Sequence, residues 1–145
     1  MPDHDQSNIE RKYAPNNVGR QEFVDSMSRM AAEVWDFHNR FEIGSGQFDG
    51  QSATDIVANR TSILDEEFKE LAQAISEKEG DEAVADETAD ILFVAMGHAE
   101  AMGNPGIEGV DRVRKKAAAK TSKTHAIRLD TGKVLPREGK PHKWQ

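Results

Sequence analysis

The chain of 145 residues contains no cysteine, which excludes disulfides, zinc–thiolate sites and thiol catalysis. No apolar run approaches the roughly 20 residues needed to cross a bilayer. The opening stretch MPDHDQSNIERKY has no basic region leading into an apolar one, so a secretory signal is not expected and the cytoplasm is the expected location. Heptads long enough for a coiled coil are absent, and so is any internal repeat. The GSG at 44–46 follows no strand pattern and lacks the Lys-Ser/Thr of a phosphate loop. It is a loop.

What is present points to one soluble helical domain with a core of its own. Hydrophobic residues make up 37 % and charged residues 31 % of the chain, and the mean hydropathy is -0.72. The net charge of -7 conceals an asymmetry. Residues 112–145 hold 11 Lys/Arg against 2 Asp/Glu, while residues 1–111 hold 8 against 24. A basic last quarter beside an acidic body can bind an anionic ligand, pair with the body or touch nucleic acid.

Residues 1–20 are polar, with Pro2, Pro15, Asn16 and Asn17, and are expected to form a loose arm. A first helix begins at Gln21. Phe23, Met27, Met30, Val34, Phe37 or His38, and Phe41 recur at spacings of three and four, a core-facing stripe. Ser52 with Asp55 resembles a capping box, so a second helix is expected from there to about Lys78. Asp81 is expected as the next N-cap, with a third helix to about Met102, ended by Gly103-Asn104-Pro105-Gly106. A fourth helix should carry Ile107, Val110 and Val113 on one face and Arg112, Lys115, Lys116 and Lys120 around the rest. From about Thr124 the tail reads as an extended arm or lid, with room for a short hairpin about Thr131-Gly132. Four helices with short connections make a four-helix bundle, an all-α fold.

Everything else is organised around residues 60–94. Two helical segments there each carry a pair of acids three residues apart, Glu67/Glu70 and Glu87/Asp90, so each pair shares a face. At about 100° per residue, Leu64, Phe68, Leu71 and Ile75 form the centre of an apolar stripe. Glu67 and Glu70 flank it, in a row with Ile63 and Ala74. In the next helix Val84, Ile91, Ala95 and Met102 are central, while Glu87 and Asp90 run beside Ala83 and Val94. Antiparallel contact of the two helices would gather four carboxylates at the margin of a shared core. Such acids raise each other's pKa unless basic partners or a metal neutralise them. An all-carboxylate, cysteine-free set suits a hard cation, Mg²⁺ above all. The plain alternative is four solvated acids on helix surfaces.

EEFKE at 66–70, then sixteen residues, then ETAD at 87–90 resembles the EExxE…ExxD signature of the MazG-like all-α nucleoside triphosphate pyrophosphatases. VWDFHNRF at 34–41, Arg60 ahead of the acids, ADETADILF at 85–93, Gly103 and the basic helix after it sit in the family's order. The resemblance covers about residues 21–123, which marks 124–145 as a tail of the same unit. It implies a Mg²⁺-dependent enzyme, with Mn²⁺ as a substitute, cleaving a nucleoside triphosphate to a monophosphate and pyrophosphate. Glu67, Glu70, Glu87 and Asp90 match the family's metal ligands, and Glu66 a glutamate placed near the attacking water. A gapless count from Asp90 puts the family's phosphate-contacting cations at Lys116 and Lys120. Many members have Asn two residues before that Lys; here it is Arg114, which leaves the register open by a turn. Arg60 and Arg114 are further candidates for the phosphates, and Trp35 and His38 for base and sugar. The stretch Arg128 to Lys133 is similar to an R-x-DGK tail with Thr131 inserted. The resemblance also implies a homodimer or homotetramer and no membrane.

Three other readings compete. Phosphoribosyl-ATP pyrophosphatase shares the acidic motif but usually lacks such a tail. A non-catalytic helical scaffold binding nucleic acid is disfavoured, because the basic tail has only Trp144 as an aromatic platform. The third is a metal-binding or regulatory bundle without turnover.

Overall fold

The structure, a computed structural model, describes residues 18–44 and 50–137. The expected N-terminal arm lies almost wholly outside these residues, as do most of the GSG loop and the end of the tail. The elements are α1 (Arg20–Arg40), α2 (Ala53–Ala58), α3 (Thr61–Ser76), α4 (Asp81–Ala101), α5 (Asn104–Ala119), β1 (His125–Ile127) and β2 (Val134–Pro136). The fold is an all-α bundle of four long helices, with a two-stranded hairpin behind it. α4 is the central helix, in contact with α1, α2, α3 and α5. Among the described residues no helix is long and apolar enough to cross a membrane.

Local chemistry sets the helix ends. The Ser52 hydroxyl accepts from the Asp55 N–H at 3.1 Å, and the Asp55 carboxylate accepts from the Ser52 N–H at 3.3 Å, a reciprocal capping box. The helix it opens is short. One continuous helix to Lys78 is expected from the pattern, but the chain breaks at Asn59-Arg60 into α2 and α3. The Thr61 hydroxyl donates to the Ala58 carbonyl at 3.1 Å there, a side-chain bond that competes with helix continuation. The break leaves α2 free to lay Ile56, a buried residue, into the core. α3 stops in a Schellman motif: Lys78 N–H donates to Ile75 O and Glu79 N–H to Ala74 O, with Lys78 at φ 54°. Gly80, not Asp81, then takes the N-cap position of α4.

The core lies where two flanking rows meet. On α3 the stripe centre was expected at Phe68 and Ile75, yet these are 52 % and 58 % exposed. Ala74, from the row that carries the acids, is 1 % exposed. The same rotation holds on α4, where Val94, Gly97 and Ala101 are buried and Ala95 is exposed. The acid rows are therefore the α3–α4 contact itself. The α3 stripe is open to solvent at Phe68 and Ile75 and half-buried at Leu64 and Leu71, while on α5 Ile107, Val110 and Val113 are all more than half exposed. Among the described residues Val34 is the largest fully buried hydrophobic side chain.

In the tail, β1 and β2 pair antiparallel, with Ala126 opposite Leu135 and Ile127 opposite Val134. Arg128 N–H donates to Lys133 O at 2.7 Å across the turn, and Gly132 adopts φ 74°. The extended arm is thus folded back on itself as a hairpin.

Candidate functional site

α3 and α4 run against each other and bring their acid rows face to face. Glu67, Glu70, Glu87 and Asp90 each offer a carboxylate oxygen, and these oxygens all lie within 4.8 Å of one another. Glu67 and Glu87 are half-buried, while Glu70 and Asp90 are exposed. The Oε2 atoms of Glu67 and Glu87 are buried without a hydrogen-bond partner in the protein. Burial lifts the Glu67 carboxyl above its usual value, with the charges of Glu70 and Asp90 adding to the rise. Glu87 is raised for the same reasons, burial first and then Glu70 and Asp90. Two orphaned acceptor atoms and mutual repulsion leave this set in need of positive charge. A divalent cation fits: the donors are all oxygen, and they already sit within a few ångströms of a common centre.

The other residues singled out in the sequence lie in different settings. Glu66 precedes Glu67 on α3 and is exposed. Arg60 is the N-cap residue of α3. Its Nε is buried without a partner, and its carbonyl lies 3.3 Å from His98 Nε2. Lys116 is half-buried in the last turn of α5, and Lys120 is that helix's C-cap. Arg114 is exposed and reaches Asp111, one turn back, at 3.4 Å. Trp35 stands on the outer side of α1.

His38, expected near base and sugar, is buried where α1 meets α4. It is 2 % exposed, with Nδ1 2.7 Å from Glu100 Oε1. Its other ring edge lies against Gly97, where a Cβ would stand 2.9 Å from Nε2. The ring is a pin between α1 and α4. His98 carried no sequence signal, being one more residue of α4. Burial holds its pKa below the ordinary histidine value, the Arg60 carbonyl partly countering, so the neutral ring donates its Nε2–H to that carbonyl at neutral pH. It ties the α2–α3 break to the central helix.

A family model described as phosphoribosyl-ATP pyrophosphohydrolase matches residues 34–117. This span contains the four carboxylates, Glu66, Arg60 and Lys116, and stops before Lys120 and the hairpin. It supports the expected superfamily of pyrophosphohydrolases, and it falls on the family placed second in the sequence reading. Comparison with curated proteins and with solved structures gives no significant match.

Proposed function

We propose, from the premise that the chain belongs to the phosphoribosyl-ATP pyrophosphohydrolase family, that it is a Mg²⁺-dependent pyrophosphohydrolase of nucleoside triphosphates. It would cleave between the α and β phosphorus atoms to give a monophosphate and pyrophosphate. The observation that carries this reading is the four-carboxylate cluster with its two orphaned buried oxygens. Mg²⁺ held by Glu67, Glu70, Glu87 and Asp90 would supply charge neutralisation for the phosphates and a lowered pKa for water. Glu66, beside the cluster in sequence and exposed, is the residue we assign to take the water's proton. Lys116 on α5 is assigned to the charge that develops on pyrophosphate. Arg60, with its buried Nε unpartnered, is a further cation for the same purpose. An acidic body would otherwise repel its substrate.

Two substrate readings share this chemistry, because phosphoribosyl-ATP also carries a nucleoside triphosphate. The family match favours phosphoribosyl-ATP. The tail beyond residue 117, outside that match and folded as a hairpin, favours a MazG-like enzyme acting on free (d)NTPs, in control of the nucleotide pool. Pyrophosphate release from a panel of NTPs, dNTPs and phosphoribosyl-ATP with Mg²⁺ separates the two. Glu70→Ala and Asp90→Ala should abolish release while the helical fold is kept. Absence of turnover on every member of the panel would refute both readings.

The assembly belongs to the same proposal. A single chain leaves Phe23, Trp35, Phe68, Ile75, Ile107 and Val113 more than half exposed. Large apolar side chains exposed in such number suit association, and further copies of this chain, in a dimer or tetramer, are the partners we assign to them.

A further inference from the structure

Where the tail hairpin meets the end of α5 there is a cavity of about 420 Å³, lined by residues beyond the 34–117 span that the family model matches. The volume falls in the range of small-molecule pockets, about 300–1,000 Å³. Its walls are of two kinds. Ile127 and Val134, partners in the β1–β2 register, form an apolar wall. Lys120, Ser122, His125 and Arg137 bring polar groups, and among the described residues no acid lines the cavity.

The polar side is constructed rather than incidental. Arg137 donates its backbone N–H to Thr124 O at 2.8 Å and its Nε–H to Ser122 O at 2.9 Å. This fixes the plane of the guanidinium while using one of its five N–H donors. Thr121 Oγ1 lies 3.1 Å from Thr124 Oγ1, which in turn lies 2.7 Å from His125 Nδ1. His125 is 6 % exposed, so this hydroxyl chain orients a buried ring at the base. Lys120 is the residue at which the chain leaves α5 in an extended conformation, φ -82° and ψ 124°. A guanidinium with its plane set and an ammonium, with no carboxylate among the described lining residues, select an anion. The apolar wall asks that the anion carry a body.

We propose that this cavity binds a small organic phosphate ester of about the size of a nucleoside monophosphate. Arg137 and Lys120 hold the phosphate, and Ile127 and Val134 pack against the body. None of the four carboxylates, which attract cations, is among its lining residues. The site stands whether or not those carboxylates hydrolyse a nucleotide.

The test is calorimetric titration of the full chain in EDTA, which strips divalent metal from the carboxylates, with AMP, adenosine and inorganic phosphate as probes. Saturable AMP binding is expected, at least tenfold tighter than that of adenosine or of phosphate. Arg137→Gln and Lys120→Gln should each weaken it at least tenfold, and Glu70→Gln should not change it. Circular dichroism establishes that each variant folds, and Lys120→Gln carries the test if Arg137→Gln does not. No AMP binding, binding indifferent to both hairpin substitutions, or equal binding of phosphate and AMP would each overturn the proposal.

Discussion

At Gly106 the backbone of α5 packs directly against that of α4, and enlarging it tests how the basic helix is held. A Cβ at residue 106 would lie 1.9 Å from the Ala99 carbonyl oxygen and 2.8 Å from its carbon. Ordinary Cβ contacts do not fall below 3.0 Å, so α5 must retreat by about 1 Å, since backbone cannot swing aside as a side-chain tip does. Overpacking of this kind costs about 1–3 kcal/mol. Backbone against backbone in a buried first turn belongs at the upper end. The helix-propensity gain of Gly→Ala recovers at most about 1 kcal/mol. A net loss of about 2 kcal/mol should lower Tm by roughly 8 °C, taking about 4 °C per kcal/mol for a chain of this size. Gly109→Ala is the internal control. Its Cβ meets only Arg112 Nη2, at 3.7 Å, an ordinary contact, so this variant should keep or gain stability by up to about 1 kcal/mol. Thermal unfolding followed at 222 nm, at matched protein concentration, reads both. Because α5 carries Lys116, Gly106→Ala should also lower kcat/KM, by up to about 100-fold for a misplacement near 1 Å. If both variants shift Tm in the same direction, the close approach of the two helices is not what holds α5.

Three further outcomes are expected. Glu67 and Glu87 have folded pKa values raised above 4.5, so the metal-free fold is favoured by their protons at and below that pH and loses this contribution as pH rises through the folded values. Mg²⁺ added to the unbuffered protein should therefore release more protons just above pH 4.5 than at pH 8, and Glu67→Gln should reduce that release. His98 has the opposite sign. Its pKa is lowered from 6.5, so stability present above that pH should fall as the solution is acidified below it, and His98→Gln should flatten that limb in urea unfolding at pH 7 and pH 5.5. Ile75→Glu places a charge on the exposed stripe of α3; light scattering should show a smaller species than the wild type, and an unchanged mass would remove that face from the assembly.

The helices and the carboxylate cluster were legible because both rest on local spacing. Three-residue intervals put Glu67 with Glu70 and Glu87 with Asp90, and the antiparallel turn did the rest. The capping box at Ser52 and the turn at Gly132 were visible for the same reason. What could not be read depended on partners distant in sequence. His38 and Glu100 are 62 residues apart, and nothing near His38 announces a carboxylate. The phase of the core is not legible locally, because the most apolar stripe is not the one a single chain buries. In α3 the small Ala74 lets the acid row approach α4, while Phe68 is left outside. Periodicity marks which face is apolar and not which surface covers it. The α2–α3 break escaped because neither proline nor glycine marks it, only the Thr61 hydroxyl turned on Ala58.

The turn at residues 77–80 has a kinetic consequence. All four cluster carboxylates lie on two helices joined by this short connection, so the contacts that bring them together are close in sequence. Closing such a loop costs little chain entropy, and low contact order goes with fast folding. The cluster should therefore gather within a helical hairpin before α1, α5 or the tail has docked. Four like charges then converge while the chain is still mostly open, and refolding rates should rise with Mg²⁺ concentration more steeply than unfolding rates fall.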